Sequence, residues 1–301
     1  MLKQHDNNYR GRFAPSPSGD LHFGSLVTAM ASYADARSNN GNWIIRIDDI
    51  DKPRVQKGST QSILNSLEAL GFQWDERIYY QSDNQKDYLQ IIDEMNQSNI
   101  FYRCYCTRKE IQSLSPELIY PGTCKINKER NNIRDKNKNY ALRVDIKKPE
   151  ILFIDVIQGD FNYQLNHLSG DFIVYRSDQI VSYLLAFVID NYLDNITHII
   201  RGFDLLDATP KQIFLQQLLS YPIPQYAHIP IITNSTGIKL SKSCNAKAVD
   251  SNINTLINAA KILGQRLDNH IEDATIDEFW QVLIKQWDIS KIPKLNNITF
   301  V

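Results

Sequence analysis

The chain has 301 residues, 43% hydrophobic and 22% charged, enough for one large core or two smaller ones within the ordinary globular range. A formal net charge of -1 gives no whole-molecule attraction to nucleic acid, so any RNA contact must come from local patches. The polar start has no apolar run of signal-peptide length, no later segment approaches a membrane span, and four cysteines are too few for a disulfide scaffold, so the expectation is a cytoplasmic, monomeric protein with no membrane partner.

Along the chain, a Pro- and Gly-rich turn precedes a helix predicted over about 25–37, and Trp43 to Ile47 reads as a strand. Ile63, Leu64, Leu67 and Leu70 recur at helical spacing and stop at Gly71, and 88–95 reads as a further helix. Between about 100 and 178 the texture changes to clustered cysteines, a polar run over 125–139, and β-like pieces at 141–146 and 152–156. This stretch is taken as an insertion between two halves of a sheet. The segment 180–190 is strongly apolar, 196–201 reads as a buried parallel strand, and 207–219 as an amphipathic helix. After 250 the pattern is helical through Trp287. The expected architecture is α/β, with one domain over 1–250 interrupted at 100–178 and a short helical tail over 251–301.

Two segments carry chemistry. Arg12-Phe13-Ala14-Pro15-Ser16-Pro17-Ser18-Gly19-Asp20-Leu21-His22-Phe23-Gly24-Ser25 sets a shaped loop ending in a histidine at the start of a helix, where backbone N–H groups and the helix dipole face an anion such as a triphosphate. His22 adds an imidazole donor for charge developing on a phosphate. A tight turn with an incidental histidine is the plain alternative. Lys239-Leu240-Ser241-Lys242-Ser243 follows the loop-forming Asn234-Ser235-Thr236-Gly237 and offers two ammonium groups to a leaving pyrophosphate, or is simply a solvated lysine loop.

Cys104, Cys106 and Cys124 fall within 21 residues, a density that suggests a metal before a bridge. Tetrahedral zinc wants a fourth ligand and no histidine lies near in sequence, so by spacing alone the set is incomplete and a cluster of small buried thiols remains open. Cys244 reads as a packing residue. Lys125, Lys128, Arg130, Arg134, Lys136 and Lys138 outnumber Glu129 and Asp135, giving a local basic stretch for nucleic-acid phosphates or a solvated loop.

Together, the His22 and Lys239–Ser243 segments resemble the HIGH and KMSKS signatures of the class I aminoacyl-tRNA synthetases, in the right order across a Rossmann-type parallel sheet. The opening RFAPSPSGDLHFGSL, then Arg46-Ile47-Asp48-Asp49-Ile50-Asp51 and Arg201-Gly202-Phe203-Asp204-Leu205, resemble the glutamyl branch over about residues 10–250. That resemblance implies glutamate binding by Arg12, Phe13, Ala14, Pro15, Ser16, Asp48, Tyr183 and Arg201. It also implies ATP binding by His22, Gly24, Ser25 and Lys242, and catalysis by His22, Lys239 and Lys242, with Mg²⁺ assisting. Each of Arg12, Asp48, Tyr183 and Arg201 also has an ordinary reading as an ion pair, a turn cap or a core aromatic.

The family usually carries Glu at the position of Asp48, Met at Leu240 and a second His at Ser25, so amino-acid preference rests on a carboxylate one methylene shorter. The resemblance also supplies a fourth zinc ligand, Tyr120, beside Cys104, Cys106 and Cys124. Ordinary glutamyl-tRNA synthetases continue into a large anticodon-binding region, whereas 58 residues follow Ser243 here. The combination resembles the truncated glutamyl-queuosine tRNA(Asp) synthetases, which implies transfer of glutamate to queuosine at the wobble position of tRNA(Asp). A compact glutamyl-tRNA synthetase charging the 3′ end, and an inactive synthetase-like RNA-binding protein, are the alternatives.

Overall fold

Strands β1 (Arg10–Phe13) and β2 (Asn42–Ile47) are parallel, with Gly11 opposite Trp43 and Phe13 opposite Ile45, and helix α1 (Phe23–Ser38) connects them. Their geometry comes from a computed structural model describing residues 9–126, 139–240, 248–267 and 271–300. Trp43, Ile44, Ile45 and Ile47 are wholly buried, as expected of a parallel strand covered on both faces. Helix α2 (Ser59–Ala69), strand β3 (Tyr79–Tyr80) and helix α3 (Gln85–Gln97) follow, with β3 parallel to β2.

The middle of the chain divides. Strands β4 (Phe101–Cys104) and β5 (Ala141–Val144), with the short helices α4 (Arg108–Leu114) and α5 (Thr123–Ile126) between them, belong to a small antiparallel sheet. Strands β6 (Glu150–Asp155) and β7 (Gly159–Gln164) form a hairpin, followed by helix α6 (Leu165–Leu168). Strand β8 (Ile173–Tyr175) then returns to β5. The hairpin lies inside the stretch read as an insertion, yet β6 pairs in parallel with a strand of the main sheet far along the chain. Local texture is the same in both sets of β pieces, and only long-range pairing separates them.

The apolar stretch at 180–190 becomes helix α7 (Tyr183–Leu193), whose Ser182 side chain accepts from the Leu185 N–H. Strand β9 (His198–Gly202) leads through a 3₁₀ segment at Phe203–Ala208 into helix α8 (Thr209–Leu218). The α-helix starts two residues later than the hydrophobic pattern suggests, with Pro210 in its first turn, where no N–H is needed. Strand β10 (Gln225–Ile229) lies between β9 and β6, both parallel to it. The two halves of the sheet meet where the Thr197 N–H donates to the Arg10 carbonyl at 3.0 Å.

Helices α9 (Ile253–Ile262) and α10 (Ile276–Gln286) pack on α1 rather than standing apart: Leu256, Phe279 and Leu283 are fully buried in the same core as Leu26 and Met30. Trp280 Nε1 donates to the Leu70 carbonyl and Trp287 Nε1 to Asp35 Oδ1, at 2.8 and 2.9 Å. Past these helices the chain forms a strand that the helical pattern does not foreshadow. Strand β11 (Ile231–Thr233) pairs in parallel with β12 (Asn297–Thr299), and Phe300 stacks on Phe23 at 4.3 Å, one residue after His22.

Candidate functional site

A cleft of about 580 Å³ opens at the carboxyl ends of β1, β2, β9 and β10, where ligands bind in open parallel sheets. It is lined by Arg12, Phe13, Ala14, Pro15 and Ser16 from the end of β1, by His22, Gly24 and Ser25 at the start of α1, and by Asp48, Tyr183, Arg201 and Lys239. These predicted residues, spread over more than 220 positions of sequence, thus share one cavity. Lys242, with the rest of Ser241 to Ser243, lies outside the described residues, as do Cys244 and the basic positions at 128–138.

His22 is the N-cap of α1: its Nδ1 accepts from the Ser25 N–H at 3.2 Å, and its Nε2 lies 2.9 Å from Ser25 Oγ. An accepting Nδ1 leaves the proton of the neutral ring on Nε2, so Nε2–H donates to the hydroxyl. Imidazole and helix N-terminus therefore point at one place. Gly24 keeps this place narrow, since a Cβ there would sit 3.3 Å from the Leu240 carbonyl oxygen. Lys239 reaches the same cleft from a turn in which Asn234 Oδ1 accepts from the Thr236 and Ile238 N–H groups, and its ammonium pairs with Asp204.

The charges beneath the cleft are unevenly matched. Arg46 is wholly buried with Asp48 at 3.0 Å, Asp194 at 3.1 Å and Asp190 at 3.9 Å, three carboxylates around one guanidinium. Burial pushes the Asp48 carboxyl up to about 6, aided by Asp190 and opposed by Arg46. Arg12 and Arg201 are the reverse. Both are buried, and among the described residues neither has a carboxylate within 4.0 Å. Arg12 Nη1 donates to the Ile200 carbonyl at 3.2 Å while its Nε has no partner. Arg201 donates to His228 Nε2, Thr209 Oγ1 and Gln212 Oε1, but its Nη1 has no partner. Both guanidiniums lie over the Phe187 ring, at 5.5 and 4.9 Å from its centroid. Burial, then the repulsion of Arg46 and Arg201, lowers Arg12 to about 10. The cleft thus offers unneutralised positive charge at Arg12 and Arg201 and surplus negative charge around Asp48.

Away from the cleft, Cys104, Cys106 and Cys124 gather their sulfurs within 4.8 Å of one another. Cys106 and Cys124 Sγ are 3.5 Å apart, and Tyr120 Oη lies 3.5 Å from Cys104 Sγ. A tetrahedral zinc with ordinary Zn–S and Zn–O bonds places such ligand pairs about 3.5–3.8 Å apart, so the donor set and spacing fit one ion. Burial and Cys104 push the Cys106 thiol up to about 12, whereas hydrogen bonds outweigh burial at Cys124 and lower its thiol. Three crowded sulfurs resist ionising together without a cation.

The family described as "tRNA synthetases class I (E and Q), catalytic domain" matches residues 8–258. A glutamyl-Q tRNA(Asp) synthetase of Pseudomonas syringae pv. syringae is 42% identical over 290 residues, covering 96% of this chain and 96% of that protein. The chain belongs to the glutamyl-Q tRNA(Asp) synthetase family of class I synthetases. A second member, from Neisseria gonorrhoeae, is 40% identical over 95% of this chain and 98% of its own length. Among solved structures, a glutamate tRNA ligase from Elizabethkingia meningosepticum in complex with its amino acid superposes with a TM-score of 0.79 at 25% identity, covering 98% of this chain and 67% of that one. Glutamate-tRNA synthetase from Elizabethkingia anophelis shares the fold at a TM-score of 0.80. Membership makes the chain a ligase for which ATP is a substrate, with glutamate and tRNA as partners of the glutamyl-tRNA-synthetase-like kind. No helix among the described residues is long and apolar enough to cross a membrane.

Several residues of the site escape sequence reasoning. Phe187 lies under both arginines, and Thr209 and Gln212 accept from Arg201, through tertiary contacts of the packed helices α7 and α8 that no local pattern encodes. Asp204, within the quoted RGFDL segment, emerges as the partner of Lys239. His228 and Asp155 lie 73 positions apart and have no motif linking them.

Proposed function

We propose that the chain activates L-glutamate with ATP as glutamyl-adenylate and transfers the glutamyl group to queuosine at the wobble position of tRNA(Asp). The observation that carries this reading is the pair of buried guanidiniums, Arg12 and Arg201, each with an orphaned N–H and no carboxylate partner among the described residues. Glutamate brings the missing anions, and its ammonium suits the surplus of carboxylates around Asp48. Glutamine would leave a buried cation without its counter-charge, a strong basis for rejecting it.

In this reading a glutamate α-carboxylate oxygen attacks the α-phosphorus of magnesium-bound ATP, and pyrophosphate leaves. His22 and the N-terminal amides of α1 face the charge that builds on the phosphate, with Lys239 and Lys242 on the leaving group. A hydroxyl of the queuosine cyclopentenediol then attacks the adenylate carbonyl and displaces AMP. No protein nucleophile is required. The names of the relatives, similar along nearly their full lengths, support the queuosine acceptor. Cys104, Cys106, Tyr120 and Cys124 would hold one zinc ion, which supplies structural cross-linking to the small antiparallel sheet.

Two expectations follow at once. His22→Ala should lower kcat for glutamate-dependent pyrophosphate exchange by about 100-fold, the usual cost of losing one donor to a developing oxyanion. A loss confined to melting temperature would contradict that role. Asp48 gives a pH signature: its protonated form cannot take up an ammonium, so glutamate affinity is present above a pH of about 6 and falls as pH drops through that value. Glutamate KM should rise about tenfold per pH unit below this point, and D48N should lack that limb. A wild-type KM flat between the two sides would remove Asp48 from ammonium binding.

The acceptor is tested with radiolabelled glutamate and two preparations of tRNA(Asp), one bearing queuosine and one lacking it. Labelling of the queuosine form alone is expected. Equal labelling of both would indicate charging at the 3′ end instead.

A further inference from the structure

Beside Arg201, and not among the residues lining the cleft, lie two fully buried side chains that the chemistry above does not use. His228 Nδ1 is 2.6 Å from Asp155 Oδ2, and His228 Nε2 accepts from Arg201 Nε at 3.0 Å. The remaining oxygen of Asp155 is fully committed: Oδ1 accepts from the backbone N–H groups of Ile157, Gln158 and His228, at 3.1, 2.9 and 3.1 Å. The hairpin between β6 and β7 and strand β10 thus hold this carboxylate in one orientation.

We propose that Asp155 and His228 are positioning residues that fix the tautomer of the imidazole and, through it, aim Arg201 at the carboxylate of the amino acid. The proposal rests on the reading of Arg201 as a carboxylate-binding residue. Asp155 accepts from Nδ1–H, so Nε2 is left as an acceptor, and only an acceptor there can hold the Nε–H of Arg201. Thr209 Oγ1, Gln212 Oε1 and the Leu205 carbonyl hold Nη2, at 2.8, 2.7 and 3.3 Å, and the Thr209 hydroxyl lies 3.1 Å from His228 Nε2, to which it too can donate. Four acceptors on two nitrogens leave Nη1 as the one guanidinium nitrogen without a partner. A neutral His228 is essential to this arrangement, because an imidazolium would set a donor and a second positive charge against the guanidinium. Burial keeps the ring below its usual pKa, with Arg201 acting in the same direction against Asp155.

The chemistry yields a sharp test. In D155N the side-chain oxygen must stay on the three backbone N–H groups, so the amide NH₂ faces His228 Nδ1. The ring then takes the opposite tautomer and presents Nε2–H to Arg201 Nε–H, donor against donor. The same inversion of a tautomer by an Asp to Asn exchange is known for catalytic triads. H228F removes the acceptor outright, whereas the amide of H228Q can supply a donor to Asp155 and an acceptor to Arg201. D155N and H228F should each raise the KM for glutamate about 10- to 100-fold, the range expected when a buried charged hydrogen bond is lost, while the KM for ATP stays within about threefold. H228Q should recover most of the glutamate affinity. Independently of any variant, nitrogen NMR of the histidine-labelled wild-type protein should show His228 protonated on Nδ1 and not on Nε2.

A ring protonated on Nε2 would overturn the proposal, as would a glutamate KM in D155N within about threefold of wild type, or equal rises for glutamate and ATP. Wild-type protein with no glutamate-dependent exchange would overturn the functional reading and this proposal with it. Normal wild-type exchange with unchanged D155N kinetics would overturn this proposal alone.

Discussion

Arg201→Gln should reduce kcat/KM for glutamate activation by about a hundredfold to a thousandfold, with the KM for ATP nearly unchanged. The size follows from the setting. Arg201 is 3% exposed, carries an orphaned Nη1, and has no carboxylate among the described residues to neutralise it, so a ligand carboxylate would meet a desolvated and unspent charge. Glutamine at this position cannot supply that charge. It also leaves some of the acceptors at His228, Thr209, Gln212 and Leu205 without donors, which should cost about 1–3 kcal/mol of stability. The discriminating readout is therefore selectivity: the preference for glutamate over glutamine should shrink in R201Q along with the rate. Unchanged selectivity in a folded variant would mean that the arginine is a structural ion and not a recognition element.

Purified wild-type protein should carry one equivalent of zinc, and Cys124→Ser or Cys104→Ser should abolish it. Structural zinc sites contribute about 10 kcal/mol or more to the folding of the segment that holds them. Cys104 ends β4, Tyr120 and Cys124 flank a short turn, and the four side chains form their own small cluster apart from the two large cores. None of the four lines the cleft. The serine variants should therefore keep pyrophosphate exchange within a few-fold while hydrogen exchange over residues 101–126 becomes rapid and transfer to tRNA collapses. Metal analysis that finds no zinc in the wild-type protein, or intact transfer in the metal-free variants, would contradict this view.

The sequence made most of the cleft legible because the chemistry sits in short segments at strand ends. The loop from Arg12 to Ser25 contains a strand end, a turn and a helix cap in succession, and local rules suffice to read it. Arg201 and Tyr183 were reachable only through family resemblance, since in isolation each is an ordinary core residue. Asp48 was readable as an acidic group two positions from Arg46, yet the convergence of Asp190 and Asp194 on the same guanidinium was not, because it depends on how α7 and its C-terminal end approach β2. The thiol cluster shows the same division. Three cysteines announce themselves by spacing, but Tyr120 joins them through a bridge to Gly170, fifty positions downstream, which no local pattern encodes.

The β-like piece at 152–156 is strand β6, but its place in the main sheet, like the existence of strand β12, was concealed by sequence texture. Both are strands whose partners lie far away, β10 for one and β11 for the other, and strand pairing carries little signal in its own residues. Their placement has consequences for the site. The hairpin delivers Asp155 beneath Arg201, and the end of the chain seats Phe300 against Phe23 beside the α1 cap.

The most direct test of the account is ATP–pyrophosphate exchange by the purified chain, without tRNA, with glutamate as the amino acid and aspartate and glutamine as controls. The account predicts exchange with glutamate and close to none with the other two. Exchange that is absent with glutamate, with and without tRNA, would contradict it.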